Sequence, residues 1–200
     1  MFASLRIFAI ALLLLAGCSC SAPRASGEGV LHGRVVALAD GDTITVLEEA
    51  KVQHEIRLTG IDAPERRQPF GQRSREHLSD LVFRKDVRVE WTKRDHWGRI
   101  LGKVLVADPA CEREPCELVD ANLAQVRAGM AWWYRQYAKE QPAADRRAYA
   151  DAEGESRAAR RGLWADPSPT PPWQWRRVAK KGRAAEGKAE TAPHRAAAAP

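Results

Sequence analysis

Three short clusters in this 200-residue chain carry side chains suited to chemistry: Asp40-Gly41-Asp42-Thr43, then Arg57-Leu58-Thr59-Gly60-Ile61-Asp62-Ala63-Pro64-Glu65, then Asp95-His96-Trp97-Gly98-Arg99. The first two fall at the ends of neighbouring expected strands, where Asp42, Asp62 and Glu65 can meet in one patch. Three carboxylates that close repel one another unless a cation sits among them, and hard oxygen ligands favour Ca²⁺ or Mg²⁺ over Zn²⁺. Arg57 and Arg99 add planar forks that match phosphate oxygens. Together these groups suit phosphodiester hydrolysis. A cation and two arginines offset the charge that builds on phosphorus, while a carboxylate activates water. Each cluster also has a plain structural reading. Asp-Gly between strands is a hairpin signal, Asp62-Ala63-Pro64-Glu65 can be a simple turn, and Arg99 can be a solvated turn cation. Their joint order and spacing favour the site.

The elements that must position these residues follow from apolar periodicity. Residues 30–38, 43–47 and 55–58 are short, rich in β-branched side chains and separated by Asp-Gly or charged turns, the pattern of a β-meander. Residues 72–83 place Leu78, Leu81 and Val82 on one face at helical spacing. Residues 87–91 and 100–106 return to strand, with 95–99 as the turn between them. Two further helices are expected, 118–128 stopped by Gly129 and 143–161 stopped by Gly162. Leu123 and Val126 belong to the core face of the first of these. Five strands with helices inserted and appended predict an α+β domain built on a small closed barrel.

Taken together, the three clusters resemble the active-site signature of the staphylococcal nuclease (thermonuclease) family, and the similarity runs from about Gly29 to Trp164. The resemblance implies a five-stranded OB-type barrel with three helices and Ca²⁺-dependent cleavage of DNA and RNA that leaves 3′-phosphate ends. By matched position it implies that Asp42 and Asp62 are metal ligands and that Ala63 offers its backbone carbonyl. It makes Glu65 the general base and Arg57 and Arg99 the phosphate-binding arginines, with Asp40 and Thr43 orienting the ligands and the water. The family often has Thr where Ala63 stands, a change that a carbonyl ligand survives. Its two nucleotide-contacting tyrosines fall, by an ungapped count from Gly129, on Arg135 and Tyr137, so only Tyr137 keeps a ring. Trp97 takes the place of another tyrosine near the base, and such rings stack on bases without reading sequence. The loop at 66–71 is shorter than in the type member.

Bulk composition lends the site no support. The net charge is +6, but Arg6 carries one of these charges and residues 176–200 carry a net five, so residues 18–175 are neutral overall. The body is therefore not a basic polyanion-binding domain by composition. The N-terminus is more informative. Arg6 precedes an apolar run over 7–15, too short for a spanning helix of about 20 residues and typical of a signal-peptide core. Leu15-Ala16-Gly17-Cys18 is similar to a bacterial lipobox, which would leave Cys18 lipidated; ordinary cleavage near Ser21-Ala22 is the alternative. Ser19 favours the outer membrane of a Gram-negative envelope over inner-membrane retention. Export implies an oxidising compartment, in which Cys111 and Cys116 can close a short polar loop as a disulfide; no second Cys/His pair gives zinc spacing.

The expected organisation is a leader over 1–17, a flexible tether over 18–28, a nuclease domain over 29–165, a Pro/Trp-rich extension over 166–177 and a disordered basic tail over 178–200. A monomer is expected, with DNA and RNA as substrates and the membrane reached through Cys18. The rival from another class is a non-catalytic OB-fold nucleic-acid-binding module anchored at the cell envelope. Such a module has no need of Glu65, Arg57 and Arg99 together with both aspartates.

Overall fold

Strand β1 (Gly29–Leu38) is ten residues long, enough to serve two partners. Its second half pairs antiparallel with β2 (Thr43–Leu47) through the tight turn at 39–42, with a register shift between Val35 and Ala37. Strand β2 then pairs with β3 (Gln53–Leu58), which sets Thr43 opposite Arg57. This register carries the first chemical cluster to the second. A two-residue strand β4 (Ile61–Asp62) follows, then helix α1 (Gly71–Val82). Strand β5 (Asp86–Arg94) pairs with the first half of β1 and with β6 (Ile100–Ala107), both antiparallel. The ring β3-β2-β1-β5-β6 closes where β3 runs parallel to β6, Ile56 opposite Ile100. This computed structural model describes residues 29–113 and 115–190, with no account of side chains at 182–190. The expected leader, Cys18 lipobox and tether lie outside the described residues.

The barrel is the expected five-stranded one, and strict alternation fills it. Along β6 every second residue is buried, and Val35, Ile44, Val46, Ile56, Val89 and Val104 are fully enclosed. A period of two on a pleated strand sends those side chains to one face, and closure makes that face the interior. Leu78 and Val82 of α1, Val126 of α2 (Ala121–Arg127) and Tyr149 of α3 (Ala143–Ala158) complete the core.

Two segments differ from the expected elements. Residues 118–120 are not helical: strand β7 (Leu118–Asp120) extends the sheet along β6, and the Asp120 carboxylate accepts the Leu123 N–H at 3.1 Å as the cap of α2. A capping Asp satisfies an orphan donor only from outside the helix, so the helix begins after it. Beyond the short strand β8 (Trp132–Trp133), which pairs with β4, a fourth helix was not foreseen. Helix α4 (Pro172–Glu190) runs through the segment expected to be a disordered tail as far as residue 190. Proline at a first helical position is preorganised for a helix start, and the Ala/Lys/Arg/Glu run that follows has high intrinsic propensity. Residues 191–200 lie outside the described residues.

A second apolar cluster seats α4. Trp132, Leu163 and Trp164 are buried together, with Phe70 and Trp173 packed against them. Chain crossing beneath this cluster depends on Gly129 and Gly162. Both have positive φ (68° and 54°), and a Cβ on either would collide with backbone of the other's turn. Cys111 and Cys116 are bonded to each other, as expected, with Cα atoms 5.7 Å apart.

Candidate active site

The turn between β1 and β2 is held from beneath. A Cβ at Gly41 would strike the Ser74 hydroxyl, and the Gly41 carbonyl accepts Gln125 Nε2 at 2.7 Å. Gln125 also donates to the Ser74 carbonyl, so α1 and α2 together fix the turn. Asp42 then enters β2 almost fully enclosed. Its Oδ2 accepts the Ala63 N–H at 2.6 Å, and its Oδ1 accepts the Thr43 hydroxyl at 3.2 Å. Its own carbonyl accepts the Leu58 N–H, while Asp40 Oδ1 accepts the Asp42 N–H at 3.1 Å. Asp40 and Thr43 thus do what was expected of them: they orient Asp42.

Asp62 arrives from the other side on β4, whose pairing with β8 leaves it 0% exposed. Arg57 stands between the two aspartates and is ion-paired with both, reaching Asp62 Oδ1 at 2.8 Å. Two enclosed carboxylates would otherwise face a severe desolvation cost. In this ligand-free arrangement Arg57 neutralises the expected ligands rather than pointing a free fork at the cleft.

Glu65 is set by a compact turn. Its N–H donates to Gln68 Oε1 at 3.2 Å and its carbonyl accepts the Gln68 N–H at 2.8 Å. Gln68, buried, donates in turn to the Thr170 carbonyl, which ties this turn to the approach of α4. The Glu65 carboxylate accepts Arg176 Nη1 at 2.8 Å. Arg176 also reaches Asp62, with Nη2 on Oδ2 at 2.7 Å and Nη1 on Oδ1 at 3.1 Å. Among the described residues no three His, Cys, Asp or Glu side chains stand together as an assembled metal cage. Asp42, Asp62 and Glu65 each face a guanidinium instead.

Arg99 lies across the cleft in the turn from β5 to β6. Asp95 Oδ1 accepts the N–H groups of Trp97 and Arg99, both at 3.0 Å, and Oδ2 accepts Arg99 Nε at 2.8 Å. Burial works against the Asp95 charge, but these hydrogen bonds outweigh it and hold the carboxyl below the ordinary carboxylate range. The anion is therefore a dependable seat for Arg99 at neutral pH. Trp97 is 70% exposed, and the Arg99 guanidinium lies 4.9 Å from its ring centre.

These residues line one cavity of about 960 Å³ that includes Arg57, Glu65, Trp97, Arg99, Tyr137 and Arg176. Six cations and six carboxylates share its wall, so bulk charge alone does not draw a polyanion into it. Tyr134 contributes as well as Tyr137: the two rings meet edge to face at 5.2 Å, and Tyr134 stacks on Trp173 at 5.6 Å. Arg135 does not contribute. It pairs with the enclosed Glu153, which also receives Arg157 and the Trp133 N–H. The ungapped count is therefore one residue off at its first position.

A family model for staphylococcal nuclease homologues matches residues 55–166. The chain belongs to that family. Relatives agree over a longer stretch that includes the Asp42 turn. The chain is 44% identical over 153 residues to Protein ParB of Escherichia coli, covering 76% of this chain and 83% of that protein. It is 43% identical over 149 residues to Micrococcal nuclease of Shigella flexneri, covering 74% and 82%. It is 41% identical over 146 residues to an uncharacterized endonuclease of Escherichia coli, covering 73% and 85%. With membership of the staphylococcal nuclease homologues, the enzyme class expected from the motifs stands: the protein is a phosphodiester hydrolase. The non-catalytic binding module is set aside.

Arg176 and Tyr134 are the site residues that the motifs did not reveal. Tyr134 was within reach of sequence reasoning as a neighbour of Tyr137 in an aromatic run. Arg176 had only one signal, a Pro-Pro-Trp helix start that brings residues 172–176 into ordered structure.

Proposed function

We propose that the protein is a Ca²⁺-dependent nuclease that cleaves DNA and RNA in this cleft. The observation that carries the reading is the corner where Asp42, Arg57, Asp62 and Glu65 meet at the cleft mouth, with Arg99 on the facing wall. The donor set fits a hard divalent ion. It offers carboxylates from Asp42 and Asp62 and the carbonyl of Ala63, all oxygen, and a guanidinium already stands in for positive charge between Asp62 and Glu65. Oxygen ligands alone admit Mg²⁺ equally, and the family resemblance selects Ca²⁺. When bound, the ion would offset charge on the phosphoryl oxygens.

The side chains supply the rest. Glu65, the most open of the three carboxylates, takes the proton of the attacking water. Arg99, seated on Asp95, receives a non-bridging phosphate oxygen, and Arg57 supplies the second fork from the ligand side. Trp97 and Tyr137 offer ring faces to flanking bases, each worth about 1–3 kcal/mol. Stacking of this kind reads neither base nor sugar, which supports both nucleic acids as substrates.

The purified protein is expected to degrade DNA in Ca²⁺ and to stop in excess EDTA. Sustained cleavage in EDTA would remove the metal from the mechanism. The lipobox-like Leu15-Ala16-Gly17-Cys18 supports a lipid anchor that holds the enzyme at the outer membrane. Cys18→Ser is expected to shift the protein from the membrane to the soluble fraction of exporting cells, and a variant still sedimenting with membranes would overturn the anchor.

A further inference from the structure

We propose that Arg176 is a built-in cation of the metal site, so that α4 acts as a latch which Ca²⁺ must displace before the enzyme is competent. The inference rests on the metal reading above and adds a regulatory step to it. Its basis is the occupancy of the Asp62 lone pairs. Oδ1 accepts both Arg57 Nη2 at 2.8 Å and Arg176 Nη1 at 3.1 Å, and Oδ2 accepts Arg176 Nη2 at 2.7 Å. The same Nη1 holds Glu65 Oε1 at 2.8 Å. A carboxylate oxygen has about two lone-pair sites, so the ligand oxygen and the base are both engaged by one side chain. A hard ion that coordinates Asp62, and a water that approaches Glu65, need those lone pairs back.

Charge balance points the same way. Asp42, Asp62 and Glu65 carry three negative charges, and Arg57 with Arg176 supplies two positive ones. Addition of Ca²⁺ to this set would leave it net positive, whereas exchange of Arg176 for Ca²⁺ leaves it neutral. The exchange costs little elsewhere, because the helix is anchored by a different residue. Trp173 packs on Trp132 and Tyr134, with ring centres 5.5 and 5.6 Å away. Arg176 is 43% exposed, so its side chain can swing to solvent while that anchor stays in place. The latch then follows ionic conditions: where Ca²⁺ is scarce Arg176 silences the site, and where it is abundant the ion wins.

The test is equilibrium Ca²⁺ binding to the full chain by calorimetry, with no nucleic acid present. Arg176→Ala and the similarly sized Arg176→Gln are expected to tighten Ca²⁺ binding at least tenfold, and Arg177→Ala to leave it unchanged. Cleavage by the Arg176 variants should then saturate at lower Ca²⁺ than cleavage by the parent. The proposal is overturned if Arg176→Ala and Arg176→Gln bind Ca²⁺ no more tightly than the parent. If they also cleave slowly at saturating Ca²⁺, Arg176 is a substrate contact instead. Absence of Ca²⁺ binding in parent and variants alike, with cleavage that persists in EDTA, overturns the metal reading and the latch with it.

Discussion

Replacement of Glu65 by glutamine is expected to slow phosphodiester cleavage roughly 10²–10⁴-fold, the usual contribution of a positioned general base. The fold should survive. Glu65 contributes nothing to the barrel core, and its turn is pinned by backbone groups and Gln68, which the substitution leaves intact. Its one side-chain partner is Arg176, in a pair whose members are 43% and 37% exposed, so loss of that pair costs less than about 1 kcal/mol. An amide of the same shape still fits beside the arginine but cannot accept a proton. Single-turnover cleavage at saturating Ca²⁺, read beside a thermal melt, separates the two effects. A Glu65→Gln protein that keeps its melting temperature and cleaves within tenfold of the parent would assign the base elsewhere.

Much of this site was legible because its members are close in sequence or joined by predictable register. Asp42 and Arg57 flank one hairpin, and an antiparallel pairing of β2 with β3 necessarily brings their ends together. Asp62 and Glu65 share one turn, and Asp95 caps its own loop onto Arg99 four residues on. The barrel was legible for the same reason, since period-two burial is a local pattern. Contacts across long stretches were not. Arg176 meets Glu65 over 111 residues of chain, and nothing in the local sequence of either residue names the other. The Tyr134 position was missed for a subtler reason. The count from Gly129 assumes that the backbone advances uniformly, whereas two strand residues of β8 give way to a 3-10 turn at residues 135–140. That change sends Arg135 to the buried Glu153 and leaves Tyr134 on the cleft wall. The residues after 178 were read as unstructured because they lack an apolar stripe. In the structure α4 is instead seated at its start by Trp173 and carried onward by intrinsic propensity.

The strongest effect on stability is expected at Arg57, and it should depend on metal. Arg57→Gln removes the cation shared by Asp42 and Asp62, which are 1% and 0% exposed. Asp62 keeps Arg176, but Asp42 is left with only the Ala63 N–H and the Thr43 hydroxyl. An enclosed charge stripped of its partner costs about 3–5 kcal/mol, which for a domain of this size lowers the melting temperature by on the order of 10 °C. Ca²⁺ binds the folded carboxylates and not the unfolded chain, so it should restore a large part of that loss in proportion to its concentration over Kd. Cleavage should not return with stability. The fork that meets the phosphoryl oxygens is gone, and loss of one such donor slows turnover about 10²–10³-fold. Thermal melts of parent and Arg57→Gln, each in EDTA and across a Ca²⁺ series, give the decisive comparison. A variant as stable as the parent in EDTA would mean that Arg57 does not neutralise the buried pair. A variant whose activity Ca²⁺ restores along with its fold would make Arg57 a scaffold for the ligands with no share in binding phosphate.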